Sequence, residues 1–190
     1  RTKDPGTPVD ITLIAKDAVS LLEHLGIEEA DVLGHSMGGY IAQEIAINYR
    51  EKVKKLILAS TSTHTSERNK DLFRDLTGMY DNASYEDFLK EFMVWILTPE
   101  YLSDKRKTRQ FLDYAMNYPY RQSSRDFKRQ VEAYTGYSSL GRSDKIRART
   151  LVLSGGKDIL ITPEESELLA SGIKNAKLQY LPNSAHSLQV

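Results

Sequence analysis

The chain has 190 residues, of which 40% are hydrophobic and 27% are charged, a composition typical of a globular domain and not of a disordered or fibrous chain. Its 26 basic and 26 acidic residues give no net charge, so no overall field attracts nucleic acid or an anionic membrane surface. The absence of cysteine excludes disulfides, thiolate zinc sites and cysteine nucleophiles, and no apolar run approaches the roughly 20 residues of a membrane helix.

The beginning of the chain predicts an extended segment followed by a helix. Residues 1–10 contain two prolines and a glycine, which favour extended structure. Asp10 is placed to cap a helix whose apolar residues recur at three- and four-residue steps as far as Leu25. Gly26 then supplies the residue at which such a helix ends.

Four short apolar runs are predicted to be strands, at 31–34, 55–59, 150–154 and 177–181. An amphipathic helix is predicted between the first two, starting near Met37, and another between the last two. The start of the latter is marked by Thr162-Pro163-Glu164-Glu165, which combines an N-cap threonine with proline at N1 and glutamate at N3. Short apolar strands alternating with amphipathic helices predict an α/β fold, with a mostly parallel sheet covered by helices.

About 90 residues without a strand signal separate the second and third predicted strands, far more than the 2–6 residues of an ordinary connection. Their pattern is helical: Ser84-Tyr85-Glu86-Asp87 resembles a capping box, and a second amphipathic stretch begins near Phe127. We therefore predict a helical lid over 64–140, inserted into an α/β core made of 1–63 and 141–190.

Two features of the predicted lid are interpreted as structural. Phe92, Met93 and Trp95 could line a pocket, but aromatic and methionine side chains at helical spacing more often form a core. The basic run Lys105-Arg106-Lys107 is flanked by acidic residues and is interpreted as a solvated helix face, not as a binding tract.

The run Gly34-His35-Ser36-Met37-Gly38-Gly39 joins the first strand to the next helix and has the G-x-S-x-G pattern of a nucleophile turn. Reversal from strand to helix within a few residues strains the backbone of Ser36 and projects its hydroxyl. We expect side chains at Gly34 and Gly38 to collide where strand and helix cross. The Met37 N–H and the positive end of the helix are expected to stabilise an oxyanion. The alternative, a turn with an idle serine, leaves two helix-opening glycines unexplained.

A serine hydroxyl becomes a good nucleophile only with a neighbouring base and an acid that orients that base. Among the histidines, His24 falls in the first helix and His35 is expected to point away from the serine. His64 follows the second strand, where it could reach the site, but is expected instead to begin the lid. His186 follows the fourth strand and Asp158 the third, at the sheet edge where open α/β folds place reactive groups. They are the predicted base and acid, the alternatives being a polar loop histidine and a turn or capping aspartate.

The order Ser36, Asp158, His186, with the motifs around each, resembles the α/β-hydrolase superfamily over nearly the whole chain, and its lidded esterases and enol-lactonases in particular. The resemblance implies a catalytic triad of these residues, the Met37 N–H in the oxyanion hole, and no metal or organic cofactor. The family also has strands upstream, with the loop that donates a second oxyanion N–H, and a helix after the histidine. The resemblance therefore implies an internal fragment, which can be inactive alone.

The sequence thus predicts a serine hydrolase that cleaves a small carboxylic ester or lactone through an acyl-enzyme. Two alternatives stay open: an acyltransferase that uses the same triad, and a non-catalytic ligand-binding protein built on a hydrolase fold. The expected partner is a small-molecule substrate, with no nucleic acid and no membrane, and no oligomeric state is predicted. The lack of cysteine and of a visible signal peptide favours the cytoplasm, although any signal would lie in the part expected to be missing.

Overall fold

The computed structural model describes residues 9–189, so most of the predicted extended segment lies outside the described residues. The strands are β1 Ala30–His35, β2 Val53–Ala59, β3 Arg149–Gly155 and β4 Ala176–Leu181. The helices are α1 Ile11–His24, α2 Met37–Asn48, α3 Glu67–Asn82, α4 Tyr85–Ile96, α5 Pro99–Ser103, α6 Lys105–Met116, α7 Ser124–Thr135 and α8 Pro163–Ser171, with short 3₁₀ turns at Arg50–Lys52 and Ser143–Lys145. The predicted α/β class is confirmed.

The four strands form one parallel sheet in the order β1-β2-β3-β4. In this register Leu33 pairs with Ile57, Ile57 pairs with Leu151, and Leu151 pairs with Lys177. All four carboxyl ends consequently meet at one edge of the sheet, and residues that follow different strands come together there.

Helix-capping side chains fix where the helices begin. The Asp10 carboxylate accepts the Leu13 N–H at 2.7 Å at the start of α1, and Gly26 follows the helix with a φ of +69°. A complete capping box on Thr162 starts α8, with the Glu165 carboxylate accepting the Thr162 N–H at 2.8 Å. These predicted boundaries are confirmed, and such caps each contribute about 0.5–2 kcal/mol.

The main core lies between the sheet and helices α1, α2 and α8. Val19, Ile45, Leu56, Val152 and Leu169 are buried in this cluster, each at most 5% exposed. Burying an aliphatic side chain of this size contributes about 1.5–3 kcal/mol relative to leaving it in water. The core therefore holds α2, and with it the turn that precedes α2, firmly against β1 and β2.

Helices α3 to α7 lie between β2 and β3 in the chain and pack around a second apolar cluster. Leu76, Phe88, Met93 and Leu112 are buried there, together with Leu160, which follows β3. The Ser84 hydroxyl accepts the Asp87 N–H at 3.1 Å and caps α4, as the sequence predicts. Within residues 9–189 no helix combines the length and apolarity that a membrane crossing requires.

Candidate active site

Ser36 occupies the sharp turn between β1 and α2. Its φ and ψ angles are 54° and −124°, a strained conformation for a residue other than glycine that costs about 1–3 kcal/mol. The Ser36 N–H donates to the Ala59 carbonyl at 2.9 Å, and the Gly39 N–H donates to the Ser36 carbonyl at 2.8 Å. The turn is thus anchored on one side to β2 and on the other to the first turn of α2.

Two glycines allow the strand and the helix to cross here, and only one of them was expected. A Cβ at Gly34 would lie 2.3 Å from the Gly38 carbonyl oxygen and 2.7 Å from the Ala42 Cβ, so glycine is required there. The expectation for Gly38 is wrong, because a Cβ at that position would have nothing within 4 Å. At the crossing, the backbone carbonyl of Gly38 lies close to Gly34 of β1, whereas the position that a Gly38 side chain would occupy is open. The second crowded position is Gly39, where a Cβ would lie 2.5 Å from Thr61.

Ser36, His186 and Asp158 form one hydrogen-bonded line. The distance from His186 Nε2 to Ser36 Oγ is 2.9 Å, and that from His186 Nδ1 to Asp158 Oδ2 is 3.0 Å. An ionised carboxylate can only accept, so Nδ1 carries the proton and Nε2 presents its lone pair to the serine hydroxyl. This is the arrangement in which an imidazole can remove a proton from an alcohol.

The carboxylate of Asp158 has no exposed surface and is fully hydrogen-bonded. Its Oδ1 accepts the N–H groups of Leu160 and Ile161, both at 2.9 Å, while Oδ2 accepts from His186. A buried carboxylate is tolerated only with such partners. Asp158 therefore both stabilises its own turn and contacts the His186 imidazole. The acid role of Asp158 stays a prediction.

The turn that carries Asp158 and the loop that carries His186 are joined backbone to backbone. The Lys157 N–H donates to the Ser184 carbonyl at 2.9 Å. A Cβ at Gly155 would lie 2.4 Å from the Ala185 carbonyl oxygen, so this approach depends on glycine. Sequence reasoning missed this role, although the Gly155-Gly156 pair at the end of a predicted strand was a usable signal.

The other histidines lie outside this line. His35 contacts the backbone of His186: its Nε2 donates to the His186 carbonyl oxygen at 2.9 Å, an interaction that the sequence did not suggest. Burial lowers the pKa of His35 from 6.5, and this effect is larger than the rise in pKa caused by the hydrogen bond to His186. The His35 ring is therefore neutral. His64 Nδ1 contacts the neighbouring Thr63 hydroxyl at 3.0 Å, and His24 lies in the last turn of α1.

Helices α3 and α4 bind the turn that carries Asp158 and the loop that carries His186. The buried Asn69 of α3 donates to the Leu160 carbonyl at 2.7 Å, and Arg68 donates to the same oxygen at 2.9 Å. The Ser187 N–H donates to the carbonyl of Ile96, the last residue of α4, at 3.0 Å. These long-range contacts carry no sequence motif, so they could not be predicted.

A cavity of about 290 Å³ opens beside Ser36 and Met37, between the turn that carries Ser36 and helices α3, α4 and α7. Phe92 lines it, whereas Met93 is buried in the second core and Trp95 packs against that core.

Within residues 9–189 no group of three or more His, Asp or Glu side chains is arranged to bind a metal ion.

A family model described as the alpha/beta hydrolase fold matches residues 2–190. The chain belongs to this α/β-hydrolase family. Among its curated relatives, a putative carbamate hydrolase RutD of Rhizobium rhizogenes is 24% identical over 95% of this chain and 68% of the relative. The proline iminopeptidase PfmaB of Pestalotiopsis fici is 30% identical over 84% of this chain and 61% of the relative.

Solved α/β-hydrolase structures share the fold. MGS-M2, an α/β-hydrolase enzyme from a deep-sea metagenome of the Medee basin, superposes with a TM-score of 0.89 at 23% identity, over 98% of this chain and 69% of that chain. The enol-lactonase of Burkholderia xenovorans LB400 gives a TM-score of 0.85 at 19% identity, over 97% of this chain and 69% of that chain. This α/β-hydrolase chain thus spans 61–69% of the length of these four proteins.

Proposed function

We propose that the protein is a serine hydrolase that cleaves a small carboxylic ester or lactone through an acyl-enzyme on Ser36. The observation that carries this proposal is the unbroken hydrogen-bond line from Ser36 Oγ through His186 to the buried Asp158. A binding protein has no need for a strained serine aligned with a base and an oriented acid. The carbamate hydrolase and enol-lactonase names of similar proteins also denote hydrolysis at a carbonyl carbon.

In the proposed first half-reaction, the Ser36 oxygen attacks the carbonyl carbon while its proton passes to His186 Nε2. The carbonyl oxygen becomes an oxyanion, which the Met37 N–H stabilises from the first turn of α2, where helix N–H groups lack intrahelical partners. The bond to the leaving alcohol then breaks, and the alcohol takes the proton from Nε2. Asp158 stabilises the imidazolium throughout.

In the second half-reaction, water attacks the acyl-enzyme and gives a proton to His186 Nε2. The bond between the acyl carbon and Ser36 Oγ breaks, Nε2 returns the proton to the serine, and the carboxylic acid leaves. The net reaction consumes one ester and one water and yields one acid and one alcohol, or one hydroxy acid from a lactone. If an alcohol or thiol replaced water in this step, the same residues would perform acyl transfer.

The test is acid release from simple esters and lactones, followed by titration at constant pH, with and without an added alcohol acceptor. We expect Ser36→Ala to lower the rate by about 10⁴-fold or more, and the control Ser171→Ala, at the exposed end of α8, to keep it. Acid release that survives Ser36→Ala contradicts the proposed nucleophile. If no acid is released, and a new ester of the added alcohol forms instead, the protein is an acyltransferase.

A further inference from the structure

Aromatic rings form much of the wall of the cavity beside Ser36. Seven of its lining residues are phenylalanine or tyrosine, contributed by α3, α4 and α7. Across the part of the chain that the structure describes, no Asp, Glu, Lys, Arg or His side chain lines it. A charged group entering this space would lose its hydration without gaining a counter-charge, so the cavity favours a neutral occupant.

The rings present both faces and edges to one another. Tyr80 stacks on Phe127 with centroids 4.8 Å apart at 21°, while Phe88 meets Tyr80 edge-on at 4.8 Å and 77°. Phe92 lies nearly parallel to Phe88, with centroids 6.0 Å apart. Only Phe88 of these four is fully buried; the others keep part of their surface accessible. A flat aromatic guest can therefore repeat the stacked and edge-on contacts that these rings already make, whereas an aliphatic guest gains only burial.

Two of the rings are restrained by contacts with the segment between α6 and α7. The Tyr80 hydroxyl donates to the backbone carbonyl of Gln122 at 2.6 Å, and the Arg121 guanidinium lies 3.6 Å from the centroid of the Tyr85 ring. The Gln122 side chain in turn donates to Gln130 Oε1 at 2.9 Å. Restraint of these two rings before binding lowers the entropy cost of arranging them around a ligand.

We propose that this cavity binds the aromatic acyl group of a neutral ester, a single ring of benzoyl to phenylacetyl size, while Ser36 attacks its carbonyl carbon. A volume of about 290 Å³ lies at the small end of ligand pockets and is sufficient for one ring. This inference rests on the proposed function, since the ring occupies the cavity as part of the substrate. It adds a substrate class, the esters of arylcarboxylic and arylacetic acids.

The test compares three ethyl esters that share a leaving group and an eight-carbon acyl chain: phenylacetate, cyclohexylacetate and octanoate. We divide the ratio of kcat/KM for phenylacetate and cyclohexylacetate by the ratio of their rates of alkaline hydrolysis, which corrects for their different intrinsic reactivity. We expect this corrected ratio to be about 2- to 10-fold in favour of phenylacetate, because aromatic pairs contribute beyond the area that they bury. Phe92→Leu, in the cavity wall, should bring this ratio close to one, and Tyr85→Leu is a second independent wall variant. The matched control is Phe111→Leu, which alters a half-buried ring of the same core outside the cavity and should keep the ratio.

Binding to the Ser36→Ala variant, measured by calorimetry with the first two esters, separates the cavity from the chemistry. Active wild-type protein with a ratio of one or less, and equal binding of both esters, overturns the aromatic preference and leaves the proposed function intact. No hydrolysis of any ester, together with tighter binding of the phenylacetate, contradicts the proposed function but supports an aromatic ligand site. No hydrolysis and no preference in binding contradicts both.

Discussion

Replacing Gly34 by alanine tests how the nucleophile turn is built. The added Cβ would lie 2.3 Å from the Gly38 carbonyl oxygen and 2.7 Å from the Ala42 Cβ, both on α2, and ordinary contact begins near 3.4 Å. To relieve this overlap, the contacting atoms must move by about 1 Å, and the backbone and the short Ala42 side chain can do so only if α2 moves as a whole. Gly34 is not among the residues with positive φ, so the effect is purely steric.

Forcing extra atoms into a packed region costs about 1–3 kcal/mol, and we expect Gly34→Ala to lower the free energy of unfolding by that amount. A displacement of about 1 Å at the reacting group costs about 100-fold in rate, so kcat/KM for an ester should fall accordingly. Urea unfolding followed by far-UV circular dichroism and initial-rate kinetics measure the two effects.

Gly38→Ala is the matched control, because it adds the same methyl group to the same motif in open space. It should leave the stability unchanged or raise it by up to about 1 kcal/mol through helix propensity, and it should keep the activity. A Gly34→Ala variant that behaves like the wild type, or equal loss of stability and activity in the two variants, would rule out the steric role of Gly34.

Three further substitutions probe the groups around the serine. His186→Ala should lower turnover by several orders of magnitude, about 10⁴-fold or more, while the protein stays folded by circular dichroism; near-normal turnover would remove His186 from the base role. Asn69→Leu removes the 2.7 Å hydrogen bond to the Leu160 carbonyl and should lower the free energy of unfolding in urea by about 1–2 kcal/mol. It should also lower kcat more than it changes KM, and an unchanged kcat would show that Asn69 supports only the fold. Because burial lowers the pKa of His35, the unfolded chain binds more protons below pH 6.5, and stability falls as the pH drops from 6.5 toward the folded-state pKa. His35→Gln should flatten this dependence in urea unfolding at several pH values, and an unchanged slope would contradict the shifted pKa.

Local signals predicted the framework of the fold well. The Asp10 cap, the Thr162 capping box and the four apolar runs each depend on neighbours in sequence, and the structure places the elements within one or two residues of the predicted bounds. Ser36 could be proposed from the G-x-S-x-G pattern, and Asp158 and His186 could be proposed because residues that follow parallel strands meet at one edge of the sheet. Their proposed roles as nucleophile, acid and base can be tested only by measuring activity.

Contacts between distant segments escaped prediction. The Gly34-x-x-x-Gly38 spacing suggested two side-chain collisions, but which glycine is crowded depends on how far α2 rotates as it crosses β1. Asn69 binds a carbonyl 91 residues away, and no pattern in the sequence connects the two. Phe92 was interpreted as a core residue but lines the cavity. Its helical spacing does not distinguish the two, because a core and a cavity wall both require one apolar helix face.

The most direct test of the proposed nucleophile is reaction with a fluorophosphonate, followed by intact-mass and peptide mass spectrometry. We expect one phosphonyl group per chain, attached to Ser36, formed rapidly in the wild type and very slowly in His186→Ala. A folded protein that stays unlabelled, or that carries the label on another residue, would contradict this expectation.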